Sequence, residues 1–419
     1  MKVEIPYGEG HLEAEIPEGN IARVFRPHAP CDPIGTDRVE RAIWEMVRRN
    51  EAVIRASGGS ICLLVSDNTR AAFNRAIVPK LLDSIGELVN TSGLKIMVAN
   101  GLHRPMSERE LAEDLGEDII ERFEVVNHIA DDECGNLAVG RTGRGTEVLL
   151  DREYLGAKLK MAAGLVEPHF FAGFSGGYKS VLPGVSATKT IYQNHSYEML
   201  SHPNARAGIL SGNPVHEDIW EAGRMGGLRL IVNVTVCGGR LSGIYAGDVD
   251  EAYGMVVREV GSRSRVVVDG LYDIVLTSNG GYPLDRNLYQ AVKGISVGES
   301  VVREGGTIII ASECRDGVGH LDFQRLMEQG EGPMDILDFV RENQPLRDQW
   351  QAQILARAML RAKVIVVAGG VDRREVERMK MESARDLGEA LERAGVKEGS
   401  GKSIAVIPDG PYAIPSVRA

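Results

Sequence analysis

The sequence predicts an α/β protein made of two α/β domains with an active-site cleft between them. Three observations carry that expectation. Short apolar runs alternate with amphipathic stretches through most of the 419 residues, the rhythm of buried parallel strands and their covering helices. Polar clusters follow directly after the runs, at the strand ends where open α/β sheets bind ligands. The rhythm breaks at Gly261-Ser262-Arg263-Ser264, a plausible hinge, and then restarts. The expected division is 1–262 and 263–403, with the tail at about 404–419 packing back on the first domain.

Taken in order, Val3–Ile5 and Leu12–Ile16 alternate about Gly8-Glu9-Gly10 and read as a hairpin. Asp37–Ala56 is a helix with Thr36 as its N-cap and Val39, Ile43, Met46 and Val47 at helical spacing. Ile61–Val65 is a buried strand, ending in Ser66-Asp67-Asn68-Thr69-Arg70. A helix from Ala71 to Leu88 follows, kinked or restarted at Pro79. Leu94–Val98 is the next strand, ending in Gly101-Leu102-His103-Arg104-Pro105, after which Ser107 and Glu110 form a capping box. Lys158–Leu165 is a strand leading through a glycine-rich stretch to a helix over Ala187–Leu200. Leu228–Cys237 and Arg240–Ala246 are paired strands, and Asp248–Val260 is a helix. Beyond the hinge come strands at Ile274–Thr277, Gly306–Ala311, Val364–Ala368 and Ser403–Ile407. Between them lie helices at Asn287–Gly294, Ala352–Arg361 and Ser383–Ala394.

Composition narrows the function. A net charge of −11 argues against sequence-independent nucleic-acid binding, which needs clustered Lys and Arg. No apolar run is long enough to span a membrane, and Met1–Pro6 lacks the layout of a signal peptide. Five scattered cysteines without a CxxC pair indicate neither a disulfide framework nor a thiolate zinc site. A cytoplasmic protein is expected. The 49 glycines exceed the usual ~7% share and imply tight turns and close backbone approaches.

The densest segment, Glu167 to Ser180, ends Gly173-Phe174-Ser175-Gly176-Gly177-Tyr178-Lys179-Ser180. Glycines before Lys-Ser suggest a phosphate cradle, but Tyr178 interrupts the Walker pattern, so a plain glycine-rich turn reads equally well. His195 and His202 stand two helical turns apart, too far to bind one metal together; a single metal-ligating His with non-protein ligands stays open, as does a structural one. His103, in a loop at a strand end, is a candidate functional residue or a His bonding local backbone. Arg70 at a helix start suits a carboxylate or phosphate, or simply solvent. Tyr289, Gln290 and Lys293 open a helix after a strand, with Tyr289 and Lys293 on one face. They fit a cleft wall or a solvated helix face.

Together these segments resemble the nickel-pincer-nucleotide-dependent lactate racemase family. The matching pieces are Ser66–Arg70, Gly101–Pro105, Pro168–Ser180, Asn194-His195, Pro283–Lys293 and, more weakly, Asp348-Gln349-Trp350-Gln351, in family order and at similar spacing. The resemblance implies a covalently attached cofactor, pyridinium-3-thioamide-5-thiocarboxylic acid mononucleotide carrying nickel. It implies Lys179 as the tether, His195 as a nickel ligand, and His103 and His169 as paired acid/base residues. Arg70, Tyr289, Gln290 and Lys293 would hold the substrate and Trp350 line its pocket. Asp67 would support Arg70 or the cofactor, beside Ser175, Gly176 and Gly177, whose glycine amides would receive the cofactor's phosphate.

The implied reaction is racemisation or epimerisation of a 2-hydroxy acid such as lactate, through a 2-keto acid. Removing Cα hydrogen as hydride avoids a carbanion beside a carboxylate. Two histidines are needed because the hydroxyl ends on opposite sides in the two enantiomers, and imidazole titrates near working pH. The implied partners are the small-molecule substrate and cofactor maturation proteins. Two alternatives stand beside this reading: a mononucleotide-dependent transferase using the Gly173–Ser180 loop, and a non-catalytic nickel-nucleotide-binding protein.

Overall fold

In the computed structural model, which describes residues 1–27, 32–69 and 73–418, two six-stranded sheets carry the molecule. The first runs in the order Arg240–Asp248, Leu230–Cys237, Leu159–Leu165, Ile61–Val65, Leu94–Val98, Glu124–Asn127. Only Arg240–Asp248 is antiparallel to its neighbour. Every side chain of Ile61–Val65 is buried, as expected for a parallel strand with helices on both faces. The second sheet is parallel throughout, in the order Glu382–Ala384, Ala362–Val367, Val302–Ala311, Tyr272–Ser278, Ser403–Ile407, Ile21–Val24. The α/β class and the alternation of elements therefore hold.

The chain begins in the second sheet, not the first. Ile21–Val24 pairs with Ser403–Ile407, and the hairpin Lys2–Tyr7/Gly10–Glu15 buries Val3, Ile5 and Ala14 against Ile274, Leu276 and Ile309. Near the other end, Ile414–Val417 pairs with Arg265–Val268. Residues 2–24 thus belong structurally with the C-terminal half, a pairing that no local pattern at the N-terminus announces.

Several element boundaries differ from expectation. The helix expected over Asp37–Ala56 is two helices, Thr36–Arg49 and Glu51–Ser57, broken at Asn50. Its N-cap is Gly35 rather than Thr36. Pro79 lies inside Asn74–Gly86. The expected hinge at 261–264 is the last turn of the helix Val249–Ser264. There the Phe174 ring lies in ordinary contact with the helix, 3.5 Å from where a Cβ on Gly261 would stand. The helix expected over Ser383–Ala394 is a short strand, Glu382–Ala384, followed by Leu387–Arg393. Cys62, Cys134 and Cys314 are free, but Cys237 is disulfide-bonded, which the scattered cysteines did not suggest. Among the described residues no helix is long and apolar enough to cross a membrane.

The folded arrangement brings the candidate residues to one kind of place. Asp67 follows the end of Ile61–Val65, His103 the end of Leu94–Val98, and His169 the end of Leu159–Leu165. Tyr289 follows Tyr272–Ser278. All four stand beyond the carboxyl ends of parallel strands, where a doubly covered sheet opens to ligands.

Candidate active site

The segment after Leu159–Leu165 folds back on itself. Pro168–His169 pairs with Gly173–Phe174 across a tight turn, and the Ser175 hydroxyl braces it, donating to Leu165 O (2.8 Å) and accepting from Glu167 N–H (3.0 Å). Gly176 and Gly177 both have positive φ (77° and 55°). A Cβ on Gly176 would lie 2.5 Å from Val166 Cγ2, and one on Gly177 2.7 Å from the Tyr253 ring. Only glycine fits either position. The short turn Gly177–Ser180 then delivers Lys179. The Gly177 N–H is already given to Asn233 Oδ1 (3.1 Å). The Ser175 hydroxyl is likewise bonded inside the protein, to Leu165 O.

Phe171 is the hub of the site. Its ring meets His169 edge-on at 4.5 Å and His195 edge-on at 5.0 Å, and Lys179 Nζ stands 5.6 Å from its centroid. His169, Lys179 and His195 thus converge on one aromatic ring, which helps fix their mutual positions. His169 is buried, stacked on Phe170, with its Nδ1 accepting the Ala172 N–H (3.3 Å). The helix expected over 187–200 is broken here into Thr188–Asn194 and Tyr197–Ser201, because Ser196 caps a new helix by accepting Met199 N–H. His195 therefore caps one helix instead of lying on a helical face, and is turned inward. His202 does not share its environment; it ends the second helix, exposed, with Nδ1 accepting Asn204 N–H.

His195 is the most unusual group in the site. It is 5% exposed, held between Phe171 and Trp350 (5.2 Å, edge-on), and its Nδ1 has no hydrogen-bond partner among the described residues. Burial, helped by the Lys179 charge, pushes its pKa down to about 3. The ring is neutral at any working pH, the form in which imidazole binds a metal. His216, which the sequence reading passed over, is similarly buried against Tyr253 and pushed down to about 4 by burial, with Glu217 opposing and Lys179 adding to the fall. Its Pro214–Met225 helix packs over the lysine turn. Gly223 on that helix admits the Tyr178 ring to 2.3 Å from where a Cβ would stand.

His103 belongs to a different arrangement. Its Nδ1 lies 2.5 Å from Asp67 Oδ2, while Asp67 Oδ1 accepts the Thr69 N–H and hydroxyl. The carboxylate is 7% exposed and the histidine 46%. With the proton held on Nδ1 by the buried carboxylate, Nε2 presents its lone pair, the tautomer a general base requires. Gly101 N–H donates to Gly184 O (2.9 Å), and Gly184 N–H to Lys179 O (3.2 Å). These two bonds lock the His103 loop to the lysine segment. Arg70 lies outside the described residues.

The C-terminal half supplies the opposite wall. Lys293 shares a cleft with His169: Pro168, His169 and Phe170 line one side, Leu284, Lys293 and Val297 the other. Tyr289 is buried, its hydroxyl accepting Trp350 Nε1–H (3.2 Å) and its carbonyl accepting from Gln351 Nε2 (2.5 Å). Burial, with Asp348 adding to it, keeps that phenol protonated. Gln290 Oε1 is buried without a donor among the described residues. The weak Asp348–Gln351 motif proves to be the support of Tyr289, and Trp350 links it to His195.

Comparisons with known proteins point to one family. A lactate racemase N-terminal domain model matches residues 7–208 and a lactate racemase C-terminal domain model matches 245–414. The chain is 36% identical over 416 residues to a lactate racemase of Thermoanaerobacterium thermosaccharolyticum, covering 97% of each. It is 35% identical over 433 residues to a lactate racemase of Lactiplantibacillus plantarum, covering 98% of each. The solved lactate racemase apoprotein of Thermoanaerobacterium thermosaccharolyticum superposes with a TM-score of 0.93 at 36% identity, over 100% of both chains. A Thermotoga maritima protein superposes at 0.69 and 16% identity, over 93% of this chain and 100% of its own, a likeness of fold alone.

Proposed function

Since the chain belongs to the lactate racemase family and is an isomerase of the racemase kind, we propose that it interconverts the enantiomers or epimers of a 2-hydroxy acid, lactate or a related acid. The cofactor in this proposal is a nickel-pincer nucleotide tethered at Lys179. The observation that carries the reading is His195: a buried, neutral imidazole whose Nδ1 has no partner among the described residues, next to the one lysine of the glycine-rich turn. A metal is the natural complement of such a nitrogen, and the buried ring suits a soft, partly organic ligand set. Bound there, the group would supply reversible hydride chemistry at the substrate's Cα.

The chain's own residues perform the rest. His103, its Nδ1 bonded to Asp67, takes the hydroxyl proton of one enantiomer at Nε2, and His169 takes that of the other. Each returns a proton to the 2-keto acid when the face is reversed. Lys293, with Arg70, holds the substrate carboxylate while the face changes. Gln290, whose buried Oε1 has no donor among the described residues, helps to hold the substrate with Lys293 and Arg70. Tyr289 and Trp350 form the wall that keeps water from the keto acid. Asp67 thus acts through His103, and Gly176 and Gly177 act by letting the lysine turn pack.

We extend the proposal to the domain division near 262, with residues 2–24 added to the C-terminal part. Cofactor maturation proteins are included as partners and the cytoplasm as the compartment. The disulfide at Cys237 is unusual for a mesophile's cytosol but not for intracellular proteins of hyperthermophiles. The transferase alternative is disfavoured, since the Ser175 hydroxyl and Gly177 amide it needs are committed inside the fold.

The test is chiral turnover by cofactor-loaded enzyme. His103→Ala and His169→Ala should each lose about 10²–10⁴-fold, equally in both directions for simple enantiomers. A rate within a few-fold of wild type for either variant would break the two-base assignment.

A further inference from the structure

The site contains a second histidine–carboxylate pair that the mechanism above does not use. His320 Nδ1 lies 2.9 Å from Asp348 Oδ2, with the carboxylate 7% and the histidine 39% exposed. Its design repeats that of His103 and Asp67: a buried carboxylate, a half-exposed imidazole, and a fixed tautomer whose N–H sits on Nδ1. The His320 ring lies flat on Tyr289, centroids 4.0 Å apart and planes 19° from parallel. Among the described residues no group bonds its Nε2.

Position argues that this imidazole faces the substrate. Val302–Ala311, the strand before His320, neighbours Tyr272–Ser278, the strand before Tyr289, in the parallel sheet. The loop between Ala311 and His320 is stitched to the helix carrying Tyr289, since Leu288 N–H donates to Gly317 O (3.1 Å) and Tyr289 N–H to Val318 O (3.0 Å). Both residues therefore stand at the same carboxyl-end edge. The Tyr289 hydroxyl is engaged with Trp350, so the polar atom offered over this aromatic wall belongs to His320.

We infer that His320 is a further substrate contact, its Nε2 accepting a hydrogen bond from the side chain of the 2-hydroxy acid, and that the preferred substrates carry a hydroxyl there. A neutral imidazole with its proton on Nδ1 is an acceptor at Nε2. Lactate, ending in a methyl group, leaves that acceptor unmatched; glycerate, with a hydroxyl on C3, satisfies it. Stacking on Tyr289 and the bond to Asp348 fix the ring beforehand, so little ordering is needed on binding. The inference rests on the racemase reading.

The experiment measures kcat/KM for glycerate and lactate with cofactor-loaded wild type, His320→Phe and His320→Gln. Phenylalanine keeps a ring on Tyr289 without the acceptor; glutamine keeps an acceptor. Wild type should favour glycerate, and the glycerate-to-lactate ratio should fall about tenfold in His320→Phe, the usual scale of one neutral hydrogen bond. It should return to within about threefold of wild type in His320→Gln. A ratio unchanged in His320→Phe, or a wild type that favours lactate, overturns the assignment while leaving the racemase reading intact. Loaded wild type that turns over neither acid overturns the assignment, and failure to turn over any 2-hydroxy acid in the same chiral assay defeats the racemase reading as well.

Discussion

Replacing Asp67 by asparagine isolates what the carboxylate does for His103. The change is nearly isosteric, and the amide oxygen can keep both Thr69 contacts at Oδ1, so the loop should hold its shape. The other terminus becomes an NH2 facing His103 Nδ1, which must then accept and give up its proton to Nε2. That is the wrong tautomer for taking a proton from a substrate hydroxyl. The bond replaced is short, 2.5 Å, and charge-assisted, a kind worth about 1.5–3 kcal/mol. At about 1.4 kcal/mol per factor of ten, kcat should fall roughly 10- to 150-fold. KM should change little, because the substrate carboxylate is held elsewhere. The assay is chiral chromatography of racemisation from each enantiomer, with nickel and the covalent mass increment quantified on the same preparations. A kcat within twofold of wild type would refute the tautomer argument. A loss explained wholly by lower cofactor content would move Asp67 from positioning a base to holding the cofactor.

Three further outcomes are expected. Lys179→Ala should lack the covalent mass increment in intact-mass spectra while keeping a wild-type melting profile; an increment that persists puts the tether elsewhere. His195→Ala should retain the nucleotide yet lose nickel by elemental analysis, and full nickel content would remove this imidazole from the metal. Gly177→Ala forces a left-handed backbone and drives a methyl group against Tyr253. It should therefore cost about 1–3 kcal/mol in denaturant unfolding, and a neutral result would mean the lysine turn is looser than described.

How much of this was legible in the sequence depended on the range of the cause. The central strands could be read because a strand buried on both faces must be apolar along its length, as Ile61–Val65 is. The break at His195 could not, since helical spacing continues through Asn194-His195-Ser196 and only the Ser196 cap, competing locally, ends the helix. Gly261-Ser262-Arg263-Ser264 has the composition of a hinge, yet packing against Phe174 carries the helix through it. The site motifs were legible as segments, but their meeting on Phe171 was not. Nothing near Phe171 in the chain distinguishes a hub from a core aromatic. His320 was missed for the same reason: its partner Asp348 and its platform Tyr289 lie 28 and 31 residues away, although a histidine just past a strand end was a signal that could have been followed.

The pairing of Ile21–Val24 with Ser403–Ile407 has a consequence for how the molecule is made. The first of these strands must wait for one synthesised roughly 380 residues later. At about 5–20 residues per second, that is about 20–75 s on the ribosome. The hairpin carrying Val3 and Ile5 waits a shorter time, until Ile274, Leu276 and Ile309 are made, and until then its apolar face is open to chaperones or to other nascent chains. The sheet spanning residues 61–248 suffers no such delay and can close while its successor is still being translated. Slow codons or low temperature should therefore injure the second half selectively. A circular permutant that begins near Gly270, between Arg265–Val268 and Tyr272–Ser278, and joins residue 418 to residue 1 by a short linker would place residues 21–24 soon after 403–407. It should fold faster and aggregate less than the natural order, provided the linker spans the distance between the old termini.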